Sequence, residues 1–127
     1  MFDDDYIVRQ LRVVTDAIAK VVKLVNVADR VVDEADLDDA YRDLLPIDRE
    51  LFEALAPRSL VPLLGDPDRI VAIARLQARE GDLRLKKGDR ARAMRCHRRA
   101  LAFLEHASRS VDVDASLMAR LRKRMGA

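Results

Sequence analysis

Cys96-His97 is the pair in this chain that most invites chemistry. A thiolate with an imidazole base makes a nucleophile, and the same two groups can ligate zinc. The spacing argues against both. Neighbours on a helix diverge by about 100° and cannot easily meet at one atom. His97 falls on the core-facing stripe of its helix and Cys96 at the core's edge, so a packed imidazole and a small buried hydrophobe are expected. His106 falls on the outer face among arginines. The acids Asp33, Glu34, Asp36, Asp38 and Asp39 crowd together. A calcium loop needs alternating oxygen ligands, a glycine at its sharp turn and a closing glutamate. The run has no glycine and does not keep that loop's spacing, and a solvated acidic helix face is the simpler reading. "EGDLRLKKGD" has neither phosphate-loop nor dinucleotide spacing. Nothing singles out a pair of catalytic carboxylates. No catalytic residue, metal or cofactor is expected, and the chain is read as not an enzyme.

The arginines of "GDRARAMRCHRRA" are the other candidates. Arg92, Arg95 and Arg99 stand opposite the stripe of Ala93, Met94, His97, Ala100, Leu101 and Leu104. With the "RLRKR" tail they can meet phosphates or an acidic protein surface. No aromatic lies among them to stack a base, and a DNA recognition helix would present a more mixed polar face. They are expected to form a solvated outer face that grips acidic protein, and are the candidate partner-binding residues.

Charge sharpens the point. The chain has 127 residues and a net charge of +2. Met1 to Asp68 carries 8 Lys/Arg and 16 Asp/Glu, net −8; Arg69 to Ala127 carries 16 and 6, net +10. Halves so nearly balanced are expected to face each other, within one chain or across a dimer. Aromatics are 4% and tryptophan is absent, so the core should rest on Leu, Val, Ile and Ala. With one cysteine there is no intrachain disulfide. The acidic start "MFDDDYIV" lacks the features of a signal peptide, and no 18-residue stretch is free of charge. A cytoplasmic protein of one domain, 1–127, is expected.

Helices must hold these residues. Asp3, Asp4 and Asp5 can cap a long first helix with Ile7, Leu11, Val14, Ile18, Val21 and Val25 on one face. A narrower flank of Tyr6, Val13, Ala17 and Leu24 is a candidate dimer seam. Periodicity is poor from Asp29 to Leu45, and Pro46 ends that helix. "IDRELFEAL" reads as a short helix and "APRSLVPLLGD" as an irregular or single-turn segment. Asp66-Pro67 starts a helix that runs to about Lys87. Ile70, Val71, Ala74, Ala78, Gly81 and Leu85 share one of its faces, Ala72, Leu76 and Leu83 another. Gly88-Asp89 makes the turn into the next helix, and a last helix runs from about Asp114 to Met125.

Gly81, Gly88-Asp89, Ala93 and Ala100-Leu101 resemble a tetratricopeptide (TPR) helix pair, in which small residues let two helices approach closely. Arg84 and His97 stand where that family has aromatics, and "VADRVVDEADLDDAYRDLL" resembles a decayed second repeat, with Ala28-Asp29 at the turn. The order of Tyr6-Ile7, Leu44-Leu45, Leu51, Leu55, Gly81-Asp82 and Gly88-Asp89 is also similar to a family of small bacterial TPR-like proteins with no assigned activity. The resemblance implies an all-α, TPR-like antiparallel array of five to six helices. Protein–protein interaction or scaffolding, alone or as a homodimer, is the expected role. The alternative is a nucleic-acid-associated accessory protein using the Arg-rich half.

Overall fold

The computed structural model describes residues 9, 12, 15–21, 23 and 34–126. Among these there are helices and turns but no strand, so the fold is all-α. Residues 15–21 are helical and are called α1. They are followed by α2 (Glu34–Leu44), α3 (Arg49–Ala54), α4 (Pro57–Leu64), α5 (Pro67–Lys86), α6 (Arg90–Ala107) and α7 (Ala115–Arg124).

The helix starts follow local chemistry. Asp48, Asp89 and Asp114 each accept a backbone N–H of the first turn, as Asp66 does from Asp68. Pro67 stands at the first turn of α5, where its missing donor costs nothing. Helix α4 departs from the irregular segment expected of "APRSLVPLLGD". Pro57 begins it, and Pro62 inside it removes a single hydrogen bond, to the carbonyl of exposed Arg58. That gives seven helical segments among the described residues rather than five or six.

Helices α5 and α6 are the most extensively packed pair. Gly88, with φ of 83°, makes the turn between them. Ala74, Ala78, Ala93 and Ala100 are buried, so the helix axes can come close. A Cβ added to Gly81 would lie 2.5 Å from Cδ2 and Nε2 of His97. The bare Gly81 backbone is what leaves room for the buried imidazole. His97 then meets Asp82 at 3.1 Å, and Arg124 of α7 reaches the same Asp82 oxygen at 3.2 Å.

Several inward and outward assignments change. Met94 and Leu85, both placed inward by helix periodicity, are 42% and 44% exposed. Each lies toward the α5–α6 turn. Aromatics are few, but the three among the described residues are all in the core. Tyr41 packs on Phe52 with ring centroids 5.8 Å apart, and Phe52 stacks on Phe103 at 6.1 Å. These rings join α2, α3 and α6.

Ala17 is 3% exposed and belongs to the core of a single chain, together with Val21. A side chain so buried leaves little of Ala17 to offer a dimer seam. Tyr6, Val13 and Leu24 lie outside the described residues, as do Asp3, Asp4, Asp5, Ala28-Asp29 and Asp33. No helix among the described residues is long and apolar enough to cross a membrane.

Candidate functional site

Helix α3 is six residues long, so most of its carbonyls have no partner inside it. The chain worsens this at its end. The donor for Glu53 O would be residue 57, but Pro57 has no N–H, and Ala56 is already extended as it leads into α4. Side chains of α6 supply what is missing. Arg99 donates from Nη2 to Phe52 O and from Nη1 to Leu55 O, both at 2.8 Å. Arg95 Nη2 donates to Glu53 O. Arg69 does the same for α2, with Nε donating to Leu44 O at 2.7 Å. Guanidinium groups suit these positions because the C-terminal end of a helix dipole is negative.

Arg99 is therefore not on a solvated face. It is 7% exposed, and its guanidinium lies 4.8 Å from the Phe52 ring centroid and 5.9 Å from that of Phe103. Such contacts favour a cation held over aromatic faces. The expectation that Arg92, Arg95 and Arg99 are all dispensable for packing is corrected at Arg99, and in part at Arg95. The face of α6 opposite α5 is covered by α3 and α4 at its C-terminal end.

At its N-terminal end the same face is open. There Asp38 (α2), Arg49 and Glu53 (α3), Glu80 and Arg84 (α5), and Arg92, Arg95 and Cys96 (α6) line a cleft of about 400 Å³. Glu80 is 3% exposed and is held from three sides. Arg49 Nη2 donates to both its oxygens at 2.7 Å, and Tyr41 donates its hydroxyl to Oε1 at 3.1 Å. Arg84 lies 3.5 Å from Oε2. Gln77 donates Nε2 to the Tyr41 oxygen at 2.6 Å, and the Arg49 guanidinium lies 3.7 Å from the Tyr41 ring centroid. Burial, then the Glu80 charge, pushes the Tyr41 hydroxyl well above its usual range, so it stays a neutral donor.

The rim is looser. Glu53 accepts from Arg49 Nε at 3.2 Å and lies 4.0 Å from Arg95 Nε. Arg84 pairs with Glu34, and Lys87 reaches Glu34 at 3.4 Å. The Arg84 hydrogen bond and charge, then Lys87, hold the Glu34 carboxyl below its ordinary value. Basic residues of the second half thus meet acids of the first half within one chain. Arg92 is exposed and makes no ion pair among the described residues. Arg84 Nε is buried with no hydrogen-bond partner there.

The cleft's chemistry is that of ion pairing. Burial, then the charges of Glu80 and Glu53, pushes the Cys96 thiol up to about 12, so it is protonated near neutral pH and a poor nucleophile. Among the described residues no three His, Cys, Asp or Glu side chains cluster as metal ligands would. Of the arginines marked out by sequence, Arg92 and Arg95 reach the cleft and Arg99 closes the packing beside it. Sequence reasoning missed Tyr41, Arg49, Gln77 and Glu80. A signal for the last two existed in the spacing of Ile73, Gln77, Glu80 and Arg84, which share a third face of α5.

No protein-family model, curated protein or solved structure matches the chain, so the function must be read from this geometry.

Proposed function

We propose that the protein is a non-catalytic, cytoplasmic protein-interaction module built around a TPR-like α5–α6 pair, and that its partner docks at the cleft between α2, α3, α5 and α6. The observation that carries this reading is the cleft itself: about 400 Å³, with four arginines in its lining, and Arg92 at the rim free of any ion pair among the described residues. Two features favour binding over catalysis. Both Glu80 oxygens are engaged by Arg49, and the Cys96 thiol is held protonated. Against nucleic acid, Arg95 and Arg99 donate to the chain's own carbonyls, and the three aromatics among the described residues are buried rather than offered to bases.

The test is affinity capture from native cell lysate at low and moderate salt, using the wild-type chain and Arg92→Glu, with protein and nucleic acid both identified. A protein retained by the wild type at moderate salt and lost with Arg92→Glu supports the reading. Nucleic acid lost in the same way promotes the nucleic-acid role, and no retained partner of either kind rejects the cleft.

A further inference from the structure

We infer that the cleft is a carboxylate seat already occupied by the chain's own Glu53, and that it receives an acidic peptide segment of the partner. This rests on the interaction-module reading and names the chemistry of its partner. Glu53 stands between guanidinium groups of two different helices, Arg49 of α3 and Arg95 of α6. It shows that a carboxylate fits there. Its 3.2 Å contact to Arg49 is half-buried, but its hold on the Arg95 side is weak, at 4.0 Å with side chains 32% and 56% exposed. Ion pairs this open to water contribute little, so an incoming carboxylate can replace one cheaply.

Room for a further carboxylate lies alongside. Arg92 is exposed and has no ion pair among the described residues. Asp38, Glu53 and Glu80 also line the cleft. Three acids in the wall repel a doubly charged phosphate more than a singly charged carboxylate. Each single contact in so open a cleft is weak, so useful affinity requires several carboxylates on one chain, each raising the effective concentration of the next. An acidic peptide segment meets that requirement.

The probe is a short fluorescein-labelled oligoglutamate, followed by anisotropy at near-physiological salt. Neutral oligoglutamine and a single-stranded DNA of matched charge are the comparison ligands. Glu53→Gln removes the seat's own negative charge and should bind oligoglutamate several-fold more tightly than wild type. Arg92→Gln should bind it several-fold more weakly. Asp112→Asn adds the same unit of charge beyond the opposite end of α6 and should change nothing. Thermal melts of each variant confirm folding, with Glu53→Ala as a second way to remove that charge.

Equal tightening by Glu53→Gln and Asp112→Asn would reduce the effect to net charge and overturn the proposal. So would tighter binding of DNA than of oligoglutamate, or no oligoglutamate binding by any variant. If lysate capture still depends on Arg92 while removing the Glu53 charge changes nothing, the interaction module stands and the seat falls. If neither experiment depends on Arg92, both fall.

Discussion

The His97 imidazole lies where a side chain on Gly81 would be, with Nε2 only 2.5 Å from the position of a Cβ at that glycine. His97 is 3% exposed and has little room to step aside. Gly81→Ala gains about 1 kcal/mol of helix propensity but overpacks this contact by about 1–3 kcal/mol. The expected result is a small net loss of stability. A double-mutant cycle isolates the cause: with His97→Ala present, Gly81→Ala should become stabilising, a coupling of about 1 kcal/mol or more. Strict additivity in thermal melts would show that the two residues do not compete for space.

Asp82 links α5 to His97 of α6 and Arg124 of α7. Burial alone would raise its carboxyl, but the His97 hydrogen bond, the Arg124 charge and further cationic neighbours outweigh it and leave the pKa below the ordinary 3.8. A carboxyl lowered on folding stabilises the fold above its unfolded value. That contribution disappears as pH falls through the lower, folded value. Asp82→Asn should therefore cost about 1 kcal/mol at neutral pH, discounted for partial exposure. The gap between wild type and variant in denaturant midpoints should close below about pH 4. A gap that is constant from pH 7 to pH 3 would remove the ionised carboxylate from the account.

Ala17 is buried in the core of one chain, so enlarging it should act on folding and not on assembly. Ala17→Leu is expected to cost about 1–3 kcal/mol. Light scattering coupled to gel filtration should give the same mass for variant and wild type. A variant that melts normally and halves a dimeric mass would return Ala17 to a subunit seam.

The sequence carried its local signals well. Asp66-Pro67, Gly88-Asp89 and the acids at 48 and 114 are capping chemistry that acts within a few residues, and each marks an observed helix start. The small-residue crossing at Gly81 was legible for the same reason, since its partners are the next helix in the chain. Arg99 was not. Periodicity places it opposite α5, but cannot say that α3 and α4 cover that opposite face as well. For Glu80 and Gln77 spacing marks a shared face of α5 but not their partners, because Tyr41 and Arg49 lie 31 to 39 residues away. The partner of a buried polar group is a tertiary fact, and no local spacing encodes it.

The arginine run of α6 has two kinds of member, and thermal unfolding of Arg99→Gln beside Arg92→Gln tests that division most directly. Arg99 satisfies Phe52 O and Leu55 O, and its loss leaves those carbonyls without donors. Orphaned buried acceptors cost about 1–3 kcal/mol each. Arg99→Gln should therefore lower the melting midpoint by on the order of 10 °C, while Arg92→Gln, with no ion pair to lose among the described residues, should stay within about a degree of wild type. Equal midpoints for the two variants would contradict the account and return Arg99 to the solvated face on which the sequence had placed it.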